Sequence, residues 1–206
     1  LVTQHIPGTT LEDRIAGLRY ARDMLHRYGI TSITDAGVSA DALEAYEAMD
    51  QRGELNLRVV ASLWWDRNRG EEQIEEFIQQ RAKYTKGNID AATVKIMQDG
   101  VLENYTAVML EPYLVESHTR GIPMVEPEFL KRVVSLLDAA DFQVHFHAIG
   151  DGAIRIALNA YEFALQQNGP NDNRHVITHL QLIDEADIPR FAELNVAANF
   201  QSLWAY

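Results

Sequence analysis

Helical and extended patterns alternate along this chain from one end to the other, and that alternation constrains the fold more than any single residue does. Thr10 is placed to cap a first helix over residues 10–28, with Leu11, Ile15, Leu18 and Leu25 at helical spacing and Gly29 as its stop. A strand is expected over 30–35, a helix over 41–51, and a strand rich in valine and leucine over 57–63. Residues 70–84 read as an acidic amphipathic helix with Ile74, Phe77 and Ile78 inward, and 93–97 as the next strand. After Pro127 the pattern resumes with helix 127–140, strand 142–147, helix 152–167, strand 175–178, helix 184–194 and strand 196–200. Six strands alternating with six helices predict βαβ units around a parallel sheet.

One stretch breaks the rhythm. Residues 99–125 hold glycine and proline breaks and no sustained period, far more than the ~2 to 6 residues that usually join a strand to its helix. A connection of that length more often covers a site than merely links two elements.

Six βα units leave two architectures open, since a doubly wound sheet can hold six strands whereas a closed barrel needs eight. The chain opens at Leu1 directly into a helix and stops a few residues after its last strand. The expected fold class is therefore α/β, an incomplete TIM-type (β/α)8 barrel that lacks one contiguous wedge, because the first and eighth strands of a closed barrel are neighbours. Residues 1–206 would then be one partial domain carrying strands two to seven.

Composition limits what such a fold could serve. With 206 residues and 47% hydrophobic content the chain can bury a substantial core. Thirty acidic against 18 basic residues give a net charge of −12, spread over the helices, which argues against nucleic acid and anionic membrane surfaces as partners. No apolar run approaches the ~20 residues of a membrane span, and no signal peptide is visible. The absence of cysteine fits a cytoplasmic setting, though an export signal upstream is compatible with it. It also restricts any metal site to nitrogen and oxygen ligands.

Two histidines are placed for chemistry. His147, in Phe-Gln-Val-His-Phe-His-Ala-Ile-Gly-Asp, and His179, in His-Val-Ile-Thr-His-Leu, each close a short apolar run ahead of a turn into a helix. Both should project from the carboxyl ends of strands, where barrel enzymes carry their active sites. A lone strand histidine is more often a hydrogen-bonded structural residue, and His145, taken to alternate away from His147, is expected to face the surrounding helices as one of these. Asp99 is expected to order the long loop, and Asp151 to support the site or the start of the helix after it. Trp64 and Trp65 follow a strand, so one should line a substrate pocket while the other packs between helices. Tyr105 and Thr106 on the long loop are candidate substrate contacts, with loop anchoring as the plainer alternative. Asp35 should cap or brace a loop.

The stretches Gly29-Ile-Thr-Ser-Ile-Thr-Asp-Ala-Gly37, Val94-Lys-Ile-Met-Gln-Asp-Gly100, Thr106 through Glu111-Pro-Tyr113, His147-Ala-Ile-Gly-Asp151 and His179-Leu-Gln181 occur in an order that resembles the amidohydrolase family 3 proteins, the YtcJ-like group. The resemblance spans about residues 29–204, and it implies the middle of a metal-dependent hydrolase barrel. It further implies that His147 and His179 are the fifth- and sixth-strand metal ligands and that Lys95, on the fourth strand, carries a bridging carbamate. The family's first-strand His-x-His and eighth-strand aspartate, the general base, have no counterpart in this chain. Gly152 also departs from the pattern, in which an arginine or other larger residue commonly follows Gly-Asp.

The implied chemistry is coherent. A divalent metal, zinc being the expected ion and one or two the expected number, lowers the pKa of a bound water to ~7 and polarises a carbonyl. Neutral imidazoles and anionic oxygens suit it as ligands. Lysine is a poor ligand as an ammonium, but burial lowers its pKa and favours the carbamate. The leading expectation is hydrolysis by metal-activated water of a C–N bond other than a peptide bond, in a small-molecule amide or cyclic amide, with the piece inactive by itself and prone to form homo-oligomers through its uncovered edges. Two alternatives remain: Lys95 as the Schiff-base nucleophile of an aldolase-type barrel, snorkelling or paired with Asp99 in the bland version, and a non-catalytic binding scaffold.

Overall fold

Thr10 starts the first helix in the manner its sequence predicts. Its hydroxyl accepts from the Asp13 N–H while the Asp13 carboxylate accepts from the Thr10 N–H, which satisfies two donors at the helix start. In the computed structural model, which describes residues 8–116 and 118–201, helix α1 runs Leu11–Arg27 and ends ahead of Gly29, whose φ of 73° only a residue without Cβ adopts freely. There follow β1 (Ser32–Val38), α2 (Ala40–Gln51), β2 (Arg58–Trp64), α3 (Gln73–Tyr84), β3 (Ile89–Met97), α4 (Pro127–Ala139), β4 (Gln143–Ala148), α5 (Asp151–Asn168), β5 (Val176–His179), α6 (Ile188–Glu193) and β6 (Ala197–Phe200). The strand order in the sheet follows the chain.

Of the boundaries that depart from the sequence reading, β1 lies over Ser32–Val38 rather than 30–35 and β3 starts at Ile89 rather than 93, while two others have a local reason. α3 begins at Gln73 because that side chain closes the turn before it, accepting from the Asp66 N–H and donating to the Asp66 and Gly70 carbonyls. The helix expected over 184–194 is a 3-10 turn, Glu185–Asp187, followed by the short α6 with Pro189 in its first turn.

The described residues fall into two compact units, one made of those up to Leu63 with Gln79–Ala92, the other of Trp64–Ile78 with those from Thr93 on. In the first, α1 and α2 pack together, Ile15, Leu43, Met49 and Val59 are buried, and β1 pairs parallel with β2 through a bulge between Ala36 and Val38. Asp35 accepts a hydrogen bond from the Tyr46 hydroxyl on α2, so it braces β1 against that helix. β1 itself stays mostly exposed.

In the second unit β3, β4, β5 and β6 pair in parallel. Val94, Ile96, Val144, Phe146 and Ile177 bury completely, as do Leu130, Val134 and Leu137 of α4 and Ile154 and Leu158 of α5. At the amino-terminal ends of these strands Asp138 collects donors from His175 Nε2, Asn168, Asn171 and Asn173, and His175 stacks on Tyr161 with centroids 4.6 Å apart. Those bonds hold the Asp138 carboxyl far below the usual carboxylate range against the opposing push of burial. β6 is exposed along its whole length, Phe200 included.

Candidate functional site

Every residue of the site lies in the second unit, at the carboxyl-terminal ends of its strands. Register sets the arrangement: Lys95 on β3 stands opposite His145 on β4, Met97 opposite His147, and His147 opposite Thr178 on β5. Partners on adjacent strands share a face of the sheet, and so do residues two apart on one strand. Lys95, Met97, His145, His147 and Thr178 therefore form one cluster, while Phe146, between the two histidines, packs on Tyr161 of α5 with centroids 5.3 Å apart.

His145 thus does not face the surrounding helices. The expectation that it alternates away from His147 fails because the two are separated by one residue, and alternation turns Phe146 outward instead. The His145 Nε2 lies 2.5 Å from the Thr178 hydroxyl, and its Nδ1 is buried with no hydrogen-bond partner.

His179 reaches the cluster by a different route. It pairs with Ala148, and Thr178 before it holds the inner face. Regular alternation would point His179 away, but its φ is 88° and that of Leu180 is 50°. These left-handed values at two non-glycine residues turn the chain at the strand end. The His179 ring comes to lie 4.4 Å from that of His147, centroid to centroid, at 64°.

Each of these two rings gives its N–H to an oxygen. The Gly100 carbonyl can only accept, so His147 donates to it from Nε2 at 3.0 Å and keeps its lone pair on Nδ1. His179 donates from Nδ1 to the Gln201 side-chain oxygen and keeps its lone pair on Nε2. Burial holds His145 near 3 and His147 near 4, with the neighbouring Lys95 and histidine charges acting in the same direction, and it lowers His179 as well. Burial also brings Lys95, 4% exposed, down to about 8.

Asp99 organises the loop above. Fully buried, it accepts from the N–H groups of Val108, Ile149 and Gly150 at 3.0, 3.0 and 2.9 Å, and its Oδ1 lies 3.5 Å from His147 Nε2. Its carboxylate is spent on these donors and not on Lys95. Burial raises Asp99 to about 6 even though the three donors pull the other way. Asp151, the first residue of α5, accepts from the Leu110 and Gly152 N–H groups, both at 2.8 Å, and the Val108 carbonyl accepts from Ala153. A Cβ on Gly152 would stand 2.9 Å from the Met109 and Val108 backbone. The small residue at 152 is thus what lets the loop backbone close onto the start of α5.

The remaining candidates separate by geometry. Trp65 is buried against Phe77 and Phe129, with centroids 6.2 and 6.5 Å away, whereas Trp64 is 45% exposed and lines a cavity of about 330 Å³ with Met97 and Met124. Tyr105 stands edge-on to Tyr113 at 5.2 Å and is partly exposed. The Thr106 hydroxyl is taken up inside the loop, donating to the Val101 carbonyl and accepting from its N–H.

The shifted groups predict how stability follows pH. Between about pH 6.5 and 4 the unfolded chain protonates His145 and His147 while the folded chain does not, so stability falls as pH falls. Asp99 has the opposite sign between about 4 and 6, because the folded chain takes up its proton first. Two histidines outweigh one aspartate. The thermal midpoint of chelator-treated protein is expected to drop by roughly 4 °C or more from pH 7.5 to pH 5; a midpoint that rises would show Asp99 dominant.

Residues 1–206 match the model of the Amidohydrolase family throughout. Among curated relatives, the chain is 32% identical over 123 residues to the putative amidohydrolase YtcJ of Bacillus subtilis, covering 60% of this chain and 23% of that one. It is 29% identical over 175 residues to the exoenzymes regulatory protein AepA of Pectobacterium carotovorum, covering 82% and 36%. An uncharacterized metal-dependent hydrolase from Pyrococcus furiosus superposes with a TM-score of 0.79 at 26% identity, over 93% of this chain and 38% of that structure. The chain thus spans little more than a third of these proteins at most, and its fold is α/β, an incomplete barrel. It belongs to the amidohydrolase family.

Proposed function

We propose that residues 1–206 form strands two to seven of the catalytic barrel of a metal-dependent hydrolase, acting on a non-peptide C–N bond in a small amide or cyclic amide. The observation that carries this reading is the pairing of His147 and His179, rings 4.4 Å apart, each with its N–H given to an oxygen. A histidine that binds a metal almost always donates its other N–H in this way, which fixes the tautomer and aims the lone pair.

The residues present fit a divalent ion on the chemistry of their donors. Both imidazoles are held neutral by burial. Among the described residues no three His, Cys, Asp or Glu side chains are grouped to hold a metal, so a further donor is needed. Lys95 is suited to supply it as a carbamate: it is buried on the same face, and its pKa near 8 leaves enough free amine to react with CO₂. When bound, the ion, zinc by its preference for nitrogen and oxygen donors, would polarise the substrate carbonyl and lower the pKa of a water. Asp99 holds Gly150 and Val108 in place around His147, and the Gly100 carbonyl orients that ring. Trp64 and Tyr105 are the exposed aromatic groups for the substrate. With its hydroxyl engaged in the loop, Thr106 serves the site by shaping the turn at Gly100.

The test uses the intact protein. Elemental analysis is expected to find one or two divalent ions per chain, with amide hydrolysis lost on chelation and regained on adding zinc. Trapping of a carbonyl substrate by borohydride at Lys95, with indifference to chelators, would replace this reading with Schiff-base chemistry. Metal binding without turnover of any amide would leave a binding scaffold.

A further inference from the structure

The cavity beside Trp64 carries information on the substrate that the ligand set does not. It measures about 330 Å³ and is lined by Trp64 and Trp65, the polar run Asp66, Arg67 and Asn68, and Met97 and Met124. Small-molecule sites span roughly 300–1,000 Å³, so this one has room for a ring and a short linker. Its place is set by the sheet: Met97 ends β3 directly opposite His147, and the backbone continues from it through Gln98, whose N–H donates to the His147 carbonyl. Met124 is fixed on the same spot, since its N–H donates to the Gln98 carbonyl. One wall of the cavity is therefore one register step from a candidate metal ligand.

The lining has a definite chemistry. Trp64 leaves a large indole 45% exposed at the end of β2, a cost in water that an apolar occupant removes. Two thioethers, from Met97 and Met124, share the cavity with it, and sulfur next to an aromatic ring is a favourable contact. Among the polar groups, Asp66 Oδ1 accepts from the Asn68 N–H and side-chain amide, and one Arg67 N–H lies against the Met124 sulfur. An aryl ring would meet the exposed indole of Trp64 and the Met97 side chain.

We propose that this cavity is the subsite for an aromatic group carried next to the scissile amide, which makes aryl-substituted amides the substrate class; the inference rests on the hydrolase reading for the word substrate, but not for the binding. The test is calorimetric titration of the intact protein with phenylacetate and with acetate, which share a carboxylate and differ by the ring. Phenylacetate is expected to bind at least about tenfold more tightly than acetate, an advantage that Trp64→Ala removes and Trp64→Phe largely keeps. Equal binding of the two acids, or an unchanged preference in Trp64→Ala, overturns the proposal. Selective phenylacetate binding by a protein that hydrolyses no amide would uphold the subsite and defeat the hydrolase reading, so the two failures are distinguishable.

Discussion

Replacing Asp99 with alanine is expected to destabilise the second unit by about 3–4 kcal/mol, a large share of the ~5–15 kcal/mol by which domains are stable. The substitution removes the acceptor for three buried N–H groups, those of Val108, Ile149 and Gly150. Each orphaned donor costs roughly 1–3 kcal/mol. The losses will not add fully, because the loop can shift toward water and because a carboxylate that burial raises to about 6 is itself under strain when ionised. Asp99→Asn separates these effects. Its one remaining oxygen can keep the Val108 and Gly150 donors, both of which Oδ2 now receives, and it buries no charge. Its amide nitrogen would face the Ile149 N–H, donor against donor, so asparagine should cost about 2 kcal/mol, less than alanine. Chemical denaturation of the intact protein, with limited proteolysis of the 100–125 loop, checks both variants. Equal stability of Asp99→Ala and the wild type would mean that the loop is held from elsewhere.

Much of the fold could be read from the chain because its determinants are local. Thr10 with Asp13 and the glycine at 29 fix α1, and β2 and β4 are short runs rich in β-branched or aromatic residues between turn residues. The register of Lys95 against His145 and of Met97 against His147 was not legible, since pairing across a parallel sheet depends on crossovers many residues long. His145 was legible and misread, for the two-residue period of a strand places it beside His147 without any knowledge of the structure. His179 is the reverse case. A strand pattern turns it outward, and only the left-handed φ values at His179 and Leu180, which no glycine announces, bring it to His147. Gly152 departs from the family pattern, and the reason lies in the Val108 and Met109 backbone packed onto it, which no local sequence signal announces. The choice between Trp64 and Trp65 needed the positions of Phe77 and Phe129, which reach Trp65 from two different helices.

His147→Ala and His179→Ala, each made in the intact protein, are expected to lower kcat/KM for amide hydrolysis by about 10³-fold or more, which corresponds to roughly 4 kcal/mol of transition-state stabilisation. The double variant should be little worse than either single one, because ligands of one ion act as a unit and the first loss already disables it. Metal content is the companion measurement, and it should fall in step with activity. His145→Gln makes the contrast. Glutamine can keep a bond to the Thr178 hydroxyl, so its activity should fall by no more than about tenfold with metal retained. Lys95→Ala decides between mechanisms when set beside the histidine variants. In a metal site all three substitutions abolish turnover and reduce metal content together, whereas in Schiff-base chemistry Lys95→Ala alone is fatal and His179→Ala leaves most of the rate. A His179→Ala protein that keeps its activity and its metal would therefore refute the pairing with His147 as the centre of the site, whatever the family of the fold.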